Sequence, residues 1–428
     1  MKQKKYILKA FFIILFAFFS TQNIFSQNYY WETPKSISPG NTNCRFPEAL
    51  YASKNNSQSA IFFEEIDDKN NQLYISAIFG LEEKKQIAGP YDYSERIPKI
   101  YSAAQNSKGN IVLTVISEPT KIEVFTSNDN FKTFTNTAFE RNDAPFIAPR
   151  VFCLHDGSFI IFTSLSSNEM YSLWYSKSSD GKTWSKFKLF AEEQKVPNTM
   201  NPLVPFVLAL DNSDVLFYQA QYSKDNLISI QIYASSTTDG GNTWQSVKSI
   251  TENPDFFPDY HNYNSQGIRA LYDNGKIHIV WTRSPFNISN SLIYFATLSK
   301  DLSFQSKPEA ISSISHSVSP RIFIHNNLLH VLWFTDQLGN NNTFLATLRG
   351  LLWEETQITK GSQSTFPAEF FTYSQNKKEA ELSILWEAQD LTSSVKKGTN
   401  SILLLEKDSS TMPPVIKSIN FSEKGVSN

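Results

Sequence analysis

The stretch Thr237-Thr238-Asp239-Gly240-Gly241-Asn242-Thr243-Trp244 combines hydroxyl, carboxylate, glycine and aromatic residues in an order typical of a tight turn. Oxygens of Asp and Thr side chains accept hydrogen bonds from backbone N–H groups of a turn, and glycine adopts positive φ without strain. The tryptophan ring is placed to cover the turn from below. The stretch therefore predicts a β-hairpin turn, and Asp239 is expected to hold the turn rather than a ligand.

Three further copies of this turn occur along the chain. Ser178-Ser179-Asp180-Gly181-Lys182-Thr183-Trp184 is one residue shorter, and Ser127-Asn128-Asp129-Asn130-Phe131-Lys132-Thr133-Phe134 is degenerate. Ser299-Lys300-Asp301-Leu302-Ser303-Phe304 is the weakest copy. The copies belong to a unit of about fifty residues that is repeated along the chain.

Each unit opens with a proline or glycine step, then has a strand, a turn and a strongly apolar second strand. The seven openings are Phe46-Pro47, Ile97-Pro98, Ala148-Pro149, Asn201-Pro202, Gln266-Gly267, Ser319-Pro320 and Phe366-Pro367. Short strands grouped in fours and repeated predict an all-β fold, a seven-bladed β-propeller of four-stranded antiparallel blades, with six blades as the alternative. The seventh unit has only three strands, so residues 29–37 are expected to add the fourth and close the ring, which removes an exposed sheet edge.

The chain ends differ from the repeats. Four lysines precede the apolar run from residue 10 to residue 19, a pattern that predicts a signal peptide over residues 1–27. We expect a single propeller domain over 28–410 and a flexible tail over 411–428. No later stretch reaches the roughly 20 apolar residues of a membrane-spanning helix. The protein is therefore expected to be secreted, periplasmic or at the cell surface.

Composition excludes several function classes. Without the four signal lysines, 35 basic residues face 41 acidic ones, a formal charge of −6, which argues against a nucleic-acid partner. Neither CxxC nor HExxH occurs, so no metal and no cofactor is predicted. Cys44 and Cys153 are the only cysteines, and whether they pair is left open by the sequence.

Propeller topology separates two rims. The turns between first and second and between third and fourth strands share one rim, which we call the turn rim. The starts of the first strands, the loops between second and third strands and the connections between blades share the other, the opening rim. The longer loops fall on the opening rim, where we expect function.

Arginine is concentrated on the opening rim. The chain has 31 lysines but eight arginines, and five arginines lie at first-strand openings: Arg45, Arg96, Arg150, Arg269 and Arg321. The guanidinium fork binds carboxylate or sulfate through two parallel hydrogen bonds, which favours an acidic glycan or protein partner. The alternative is that these arginines bond strand-end carbonyls or neighbouring acids and only seal the ring.

Residues 255–264 add aromatic and imidazole groups to the same rim. Tyr260 and His261 are candidates for stacking on a sugar and bonding its hydroxyls. The alternative is a long connection that packs its own rings.

The chain resembles the sialidase-like, or BNR-repeat, propellers over residues 29–405. The resemblance is carried by the turn copies, which match the motif called the Asp box, by Arg96-Ile97-Pro98, and by Arg45-Phe46-Pro47. Asp boxes also occur on propellers without glycosidase activity, so the likeness is more specific for fold than for activity.

The family's enzymes bind a sugar carboxylate with three arginines and use an Asp as acid/base and a Tyr activated by a Glu as nucleophile. The resemblance implies Arg45 or Arg96 as the first arginine, with Arg269 and Arg321 as the others. The remaining roles that it implies fall on Asp67, Asp68, Tyr373, and Glu369 or Glu387.

Two departures weaken the catalytic implication. The family's sialidases have six blades, and the loop after Arg96, Ser117-Glu118-Pro119-Thr120, contains no Asp. Three hypotheses follow: a propeller that binds an acidic glycan or protein, an enzyme, or a non-catalytic scaffold of an envelope assembly. The enzyme would be a sialidase-type hydrolase or a uronan-active lyase with His261 as base and Tyr260 as acid.

Overall fold

A computed structural model describes residues 35–38, 43–50, 59–80, 84–92, 99–167, 170–195, 204–224, 227–285, 290–335, 342–359, 369–373, 381–389 and 400–406. Within these ranges the strands form seven antiparallel sheets of four strands each. The predicted all-β fold of four-stranded blades is confirmed. A single turn of 3-10 helix, Tyr260–Asn262, interrupts the connection before the fifth blade. No helix in the described part is long and apolar enough to cross a membrane.

The blades follow one another along the chain. Blade I contains β2 (Asn43–Leu50), β3 (Ala60–Asp67), β4 (Gln72–Phe79) and β5 (Lys85–Asp92), and blade II contains β6 (Tyr101–Gln105), β7 (Ile111–Glu118), β8 (Lys121–Ser127) and β9 (Thr135–Glu140). Blade III contains β10 (Phe146–Cys153), β11 (Phe159–Ser167), β12 (Met170–Ser178) and β13 (Lys188–Lys195), and blade IV contains β14 (Pro205–Ala209), β15 (Asp214–Lys224), β16 (Leu227–Thr237) and β17 (Lys248–Ser249). Blade V contains β18 (Tyr263–Asp273), β19 (Lys276–Pro285), β20 (Leu292–Leu298) and β21 (Glu309–Ala310), and blade VI contains β22 (Ser317–His325), β23 (Leu328–Thr335), β24 (Asn342–Arg349) and β25 (Leu352–Gln357). Blade VII contains β26 (Glu369–Tyr373), β27 (Glu381–Gln389), β28 (Asn400–Glu406) and β1 (Lys35–Ser36).

The amino-terminal strand closes the ring as predicted. Strand β1 pairs antiparallel with β28, with Lys35 opposite Leu404 and Ser36 opposite Leu403. The buried carboxylate of Glu387 on β27 accepts a hydrogen bond from the backbone N–H of Phe46 on β2 at 2.9 Å. Blade VII is therefore joined to blade I by a polar contact as well as by packing.

The core lies between blades. The apolar second and third strands place their side chains on both sheet faces, and the buried residues of the described part group into seven clusters, each shared by two consecutive blades. Phe62 and Tyr101 meet between blades I and II, and Cys44 and Leu385 meet between blades I and VII. Each large side chain buried in this way contributes about 1.5–3 kcal/mol.

The turns that decide the fold have the predicted hydrogen bonds. Asp239 accepts hydrogen bonds from the backbone of Asn242 at 2.9 Å and of Thr243 at 3.0 Å, and from the Thr243 hydroxyl at 2.7 Å. These bonds hold the pKa of its carboxyl well below the ordinary value, chiefly through the backbone of Thr243. Gly240 and Gly241 both have positive φ, 63° and 76°. The Ser/Thr–Asp turns all join third to fourth strands, so they lie on the turn rim.

First strands bend where they enter the blade. Residues with positive φ stand at four openings, namely Phe46 (53°), Ala148 (45°), Gly267 (68°) and Ser319 (56°). At each of these positions the register between first and second strands shifts, as a β-bulge does. The residue after the bulge is Arg150, Arg269 or Arg321 in blades III, V and VI, and Glu48 in blade I. The same local geometry therefore repeats around the opening rim.

Cys44 and Cys153 do not form a disulfide. Cys44 lies on β2 of blade I and Cys153 on β10 of blade III, and both are free thiols. Burial, together with nearby Asp214 and Asp156, raises the pKa of Cys153 to about 12. The Cys153 thiol therefore stays protonated at neutral pH, and the Cys44 thiol is fully buried.

Candidate functional site

Arg45 forms a buried ion pair with Glu64 of the same blade. Its Nε donates to Glu64 Oε2 at 2.6 Å, and the register of β2 and β3 places the two residues directly opposite each other. Glu64 is fully buried, and its second oxygen accepts the backbone N–H of Ile100 at 2.8 Å. The guanidinium also lies over the Phe46 ring, 4.9 Å from its centroid. Arg45 therefore fits the sealing alternative.

Blades I to III carry a mixed set of charges at and beside the bulge positions. Lys99 donates to Glu48, and the backbone N–H of Ala103 donates to the same carboxylate at 3.2 Å. Burial alone would raise the pKa of Glu48, but the charges of Lys99 and Arg150 hold it below the ordinary value. Arg150 also reaches back to blade II, where its Nη1 donates to the carbonyl of Tyr101 at 3.3 Å. This sector combines two cations with one partly buried anion.

In blades V and VI the residue after the bulge is an arginine. Arg269 donates to the carbonyl of Ile268 at 2.7 Å and lies 5.4 Å from the ring centroid of Phe206 on blade IV. Arg321 donates to the carbonyl of Pro320 at 3.0 Å. Both side chains are partly exposed. These contacts orient the two guanidinium groups by strand-end carbonyls, as the sealing alternative expects, while part of each remains accessible to solvent.

An aromatic cluster occupies the opening rim between blades IV and V. The hydroxyl oxygens of Tyr222, near the end of β15, and Tyr260, in the 3-10 turn, lie 3.0 Å apart. The ring of His261 lies 5.7 Å from that of Tyr260 at nearly a right angle. Tyr222, Tyr260 and His261 are all partly exposed. Two phenolic hydroxyls and an imidazole therefore share one accessible site, which we call the Tyr–His site.

Arg283 holds the Tyr–His site in position through contacts with neighbouring residues. Strand β19 continues to Pro285, so Arg283 lies near the strand end, where it pairs with Leu292. Its Nη2 donates to Asp259 Oδ1 at 2.9 Å, and its guanidinium lies 3.7 Å from the ring centroid of Tyr263. The arginine side chain is only 8% exposed. It therefore fixes residues on both sides of the 3-10 turn that carries Tyr260.

Gln231 fixes the same turn from blade IV. Its side-chain amide donates to the carbonyls of Tyr260 at 2.9 Å and Tyr263 at 2.8 Å. Asn264 Oδ1 in turn accepts the backbone N–H of Ile230 at 2.9 Å. The connection predicted as a ligand-binding loop thus packs its own rings and also holds Tyr260 and His261 in a defined position.

The acids implied by the family resemblance are poorly suited to their roles. Asp67 is the last residue of β3 and accepts hydrogen bonds from Asn70 Nδ2 at 2.7 Å and Lys69 N at 3.0 Å. Bonds to Asn70 hold the pKa of this exposed carboxyl below its ordinary value, which disfavours a general acid. Asp68 is exposed in the same turn.

The other implied residues are only partly described. Glu369 and Tyr373 begin and end β26, but their side chains lie outside the described part of the chain, as does Arg96 altogether. Glu387 bonds the backbone of Phe46 and is fully buried. Residues 1–27 and 411–428 also lie outside the described ranges. Among the described His, Cys, Asp and Glu residues, no group of three or more is placed to hold a metal ion.

The sequence names Tyr260 and His261 as candidates but does not indicate Tyr222 and Arg283 as their neighbours. Tyr222 is a member of an ordinary strand pattern, and nothing in its local sequence marks its hydroxyl. Arg283 lies outside the five first-strand openings at which the other arginines of this rim are expected. Tyr222 joins the site because the end of the second strand of blade IV lies beside the connection into blade V, and Arg283 joins it because β19 of blade V extends to Pro285.

No protein-family description and no curated protein sequence matches this chain. Solved structures share its propeller fold. An ulvan lyase, described as a new polysaccharide lyase family PL25, aligns with a TM-score of 0.55 at 9% identity over 86% of this chain and 94% of its own. The polysaccharide lyase Uly1 aligns with a TM-score of 0.52 at 11% identity over 90% and 93%.

A third similar structure is a protein of unknown function from Dyadobacter fermentans. It has a TM-score of 0.51 and 10% identity, and the alignment covers 89% of this chain and all of the other. Identities this low show a common fold and do not transfer an activity.

Proposed function

We propose that this protein is an exported propeller that acts on an acidic polysaccharide at its opening rim, as a uronate-directed lyase. The observation that carries the proposal is the Tyr–His site, where the Tyr222 and Tyr260 hydroxyls are 3.0 Å apart beside the His261 ring. Export rests on the lysine-led apolar segment at the start of the chain.

The reaction needs one base and one acid. The base removes the proton at C5 of the uronate, the freed electron pair forms the C4–C5 double bond, and the C4–O4 bond breaks. The acid gives its proton to that oxygen, which departs as the anomeric hydroxyl of the leaving sugar, so no water is consumed. A neutral imidazole accepts a proton near pH 7, and a phenol donates one, so we assign His261 as base and Tyr260 as acid. Tyr222 is hydrogen-bonded to the acid and orients it.

The cations of the opening rim supply the affinity for an anionic chain. Arg150, Arg269 and Arg321 occupy the same bulge position in three blades, and each is partly exposed. A carboxylate or sulfate that approaches this rim meets guanidinium groups already oriented by strand-end carbonyls, which lowers the entropy cost of binding.

Two further points support this function over the others suggested by the sequence. A sialidase-type acid is disfavoured because Asp67 is held ionised by its own turn. The similar ulvan lyase has also been solved with a bound -[GlcA(1-4)Rha3S]- unit, a ligand with a carboxylate and a sulfate. An enzyme acting on an acidic polysaccharide would use the arginines and the Tyr–His site that the opening rim offers here.

The test is incubation of the purified mature protein with ulvan, a glucuronan, polygalacturonate and a sialoside. A lyase gives a product with the ultraviolet absorbance of a C4–C5 unsaturated uronate, whereas a hydrolase gives new reducing ends without that absorbance. Binding without any product would replace the proposal by the glycan-binding function. Neither binding nor product, together with recovery of envelope proteins in a pull-down, would favour a scaffold.

A further inference from the structure

A groove crosses the turn rim between blades II and III, on the side of the ring away from the Tyr–His site. Its volume is about 460 Å³, and its lining includes Asn110, Asn128, Thr133, Phe134, Asp180 and Lys182. The first four belong to blade II and the last two to the turn of blade III. Small-molecule sites commonly have volumes of roughly 300–1,000 Å³, so the groove is large enough for a ligand.

Phe134 gives the groove an exposed aromatic face. The residue is 50% exposed, and its ring is supported by Phe125 and Phe131, with centroids 5.7 Å and 6.2 Å away. The equivalent residue in the next blade, Trp184, donates its indole N–H to the carbonyl of Gly181 at 2.8 Å and is less exposed. Phenylalanine has no such donor, and its ring stands open to solvent on a rigid aromatic base.

The rest of the lining is polar and electrically balanced. Asn110, Asn128 and Thr135 present amide and hydroxyl groups, which both donate and accept hydrogen bonds. Asp180 and Lys182 contribute one negative and one positive charge. An anionic ligand therefore gains no net attraction from this groove.

A second groove on the same rim serves as an internal comparison. It lies between blades III and IV, has a volume of about 340 Å³ and is lined by polar residues that include Lys177, Lys188 and Asp156. Its aromatic member, Tyr175, is only 7% exposed. The combination of a polar groove with an open ring thus distinguishes the groove at Phe134.

We infer that the groove at Phe134 is a second carbohydrate site, which binds a neutral segment of a polysaccharide. An open aromatic ring stacks on the C–H face of a sugar, and nearby amides and hydroxyls bond its hydroxyl groups. Since the groove is on the rim opposite the Tyr–His site, a chain held here leaves the opening rim accessible. The site anchors the protein on a polymer, and the inference does not depend on a lyase reaction.

Affinity electrophoresis in native gels that contain glucomannan, xyloglucan or arabinan tests the inference. We expect the wild type to be retarded by at least one of these neutral polymers. Phe134→Ala removes the surface on which a sugar is buried, and retardation should fall by about fivefold to tenfold. Phe134→Trp should retain it. Thr135→Arg, which fills the groove from an exposed strand position, should abolish it without touching the aromatic base.

Val247→Ala is the matched control, because Val247 is 48% exposed and does not line the groove. It should be retarded as the wild type is, and Tyr260→Phe should be as well, which separates this site from the proposed lyase site. The inference is overturned if the wild type runs unretarded in all three gels, or if Phe134→Ala and Thr135→Arg are both retarded as strongly as the wild type. Equal thermal unfolding temperatures establish that the variants are folded.

Discussion

The hydroxyl oxygens of Tyr222 and Tyr260 lie 3.0 Å apart and connect blade IV to the turn that enters blade V. Their rings meet at 67°, with centroids 5.2 Å apart, so both hydroxyls have fixed directions. When one hydroxyl donates to the other, the acceptor keeps its own proton for a third group. The pair is therefore a preorganised proton donor on the opening rim.

Tyr260→Phe removes one hydroxyl and keeps the ring contacts. If Tyr260 protonates the leaving oxygen, kcat for formation of unsaturated uronate should fall by about 10²–10⁴-fold, with a much smaller change in KM. Tyr222→Phe should lower kcat less, since it only removes the partner of the acid. For each variant, kcat and KM are obtained from the initial rates of ultraviolet absorbance increase.

Tyr272→Phe provides the matched control, because Tyr272 belongs to blade V but bonds Asp211 near the turn rim. It should retain full activity. Unchanged kcat in Tyr260→Phe would remove this residue from the mechanism.

Arg283 is expected to act through position rather than by touching the substrate. Arg283→Met removes the ion pair with Asp259 and the contact with the Tyr263 ring, so the free energy of unfolding should fall by about 1–2 kcal/mol. The loss is kept modest because Asp259 is 49% exposed and remains solvated when unpaired.

The same change should lower kcat, since the 3-10 turn loses its brace, and Arg283→Lys should restore only part of the loss because ammonium lacks the planar fork. Urea unfolding and initial rates measure the two effects. A variant with reduced stability but wild-type kcat would show that the brace serves the fold alone.

Much of the propeller fold could be predicted from local sequence patterns. The turn at 237–244 has the hydrogen bonds expected from its residue types, and the proline or glycine openings at Phe46, Ala148, Gly267 and Ser319 correspond to bulges. Strand repetition was enough to predict that the amino-terminal segment joins blade VII. In each case the deciding interactions are made within a few residues or by a repeated pattern.

The site was harder to predict because its contacts cross blades. Whether Arg45 seals the ring or binds a ligand depends on the register that sets it opposite Glu64, since a shift of one residue would turn it to the other face. Tyr222 and Tyr260 are 38 positions apart, and only the angle between consecutive blades brings their hydroxyls together. The spacing of residues along the sequence gives no information about that angle.

Glu48 should make stability sensitive to acid. Burial would raise its pKa, but Lys99 and Arg150 hold the pKa below the ordinary value in the folded protein. A carboxyl with a lower pKa in the folded state contributes stability above its unfolded pKa and loses that contribution as pH falls through the folded pKa. Urea midpoints should therefore drop between about pH 5 and pH 3 less in Glu48→Gln than in the wild type. An identical pH dependence of the two proteins would contradict the assignment.

Asp239 should matter for stability and not for activity. Its carboxylate accepts several hydrogen bonds within its own turn, and the turn lies on the rim away from the Tyr–His site. We expect Asp239→Ala to lower the unfolding temperature and leave kcat and KM on the acidic polysaccharide unchanged. Asp255→Ala, at an exposed position outside the turn motif, is the control and should change neither. A raised KM in a folded Asp239→Ala protein would instead give the turn a role in substrate binding.

Ring closure should depend on Glu387. The carboxylate is fully buried on β27 and accepts the Phe46 N–H, so Glu387→Ala leaves a backbone donor of blade I without this acceptor. An unsatisfied buried donor costs about 1–3 kcal/mol, and the free energy of unfolding should fall by that amount. Glu387→Gln keeps an acceptor oxygen of the same reach and should lose less. Because the contact joins the first blade to the last, limited proteolysis of Glu387→Ala should cut first in blade I or blade VII. Cleavage distributed evenly over the seven blades would show that β1 and the apolar cluster around Cys44 and Leu385 are sufficient to hold the ring closed.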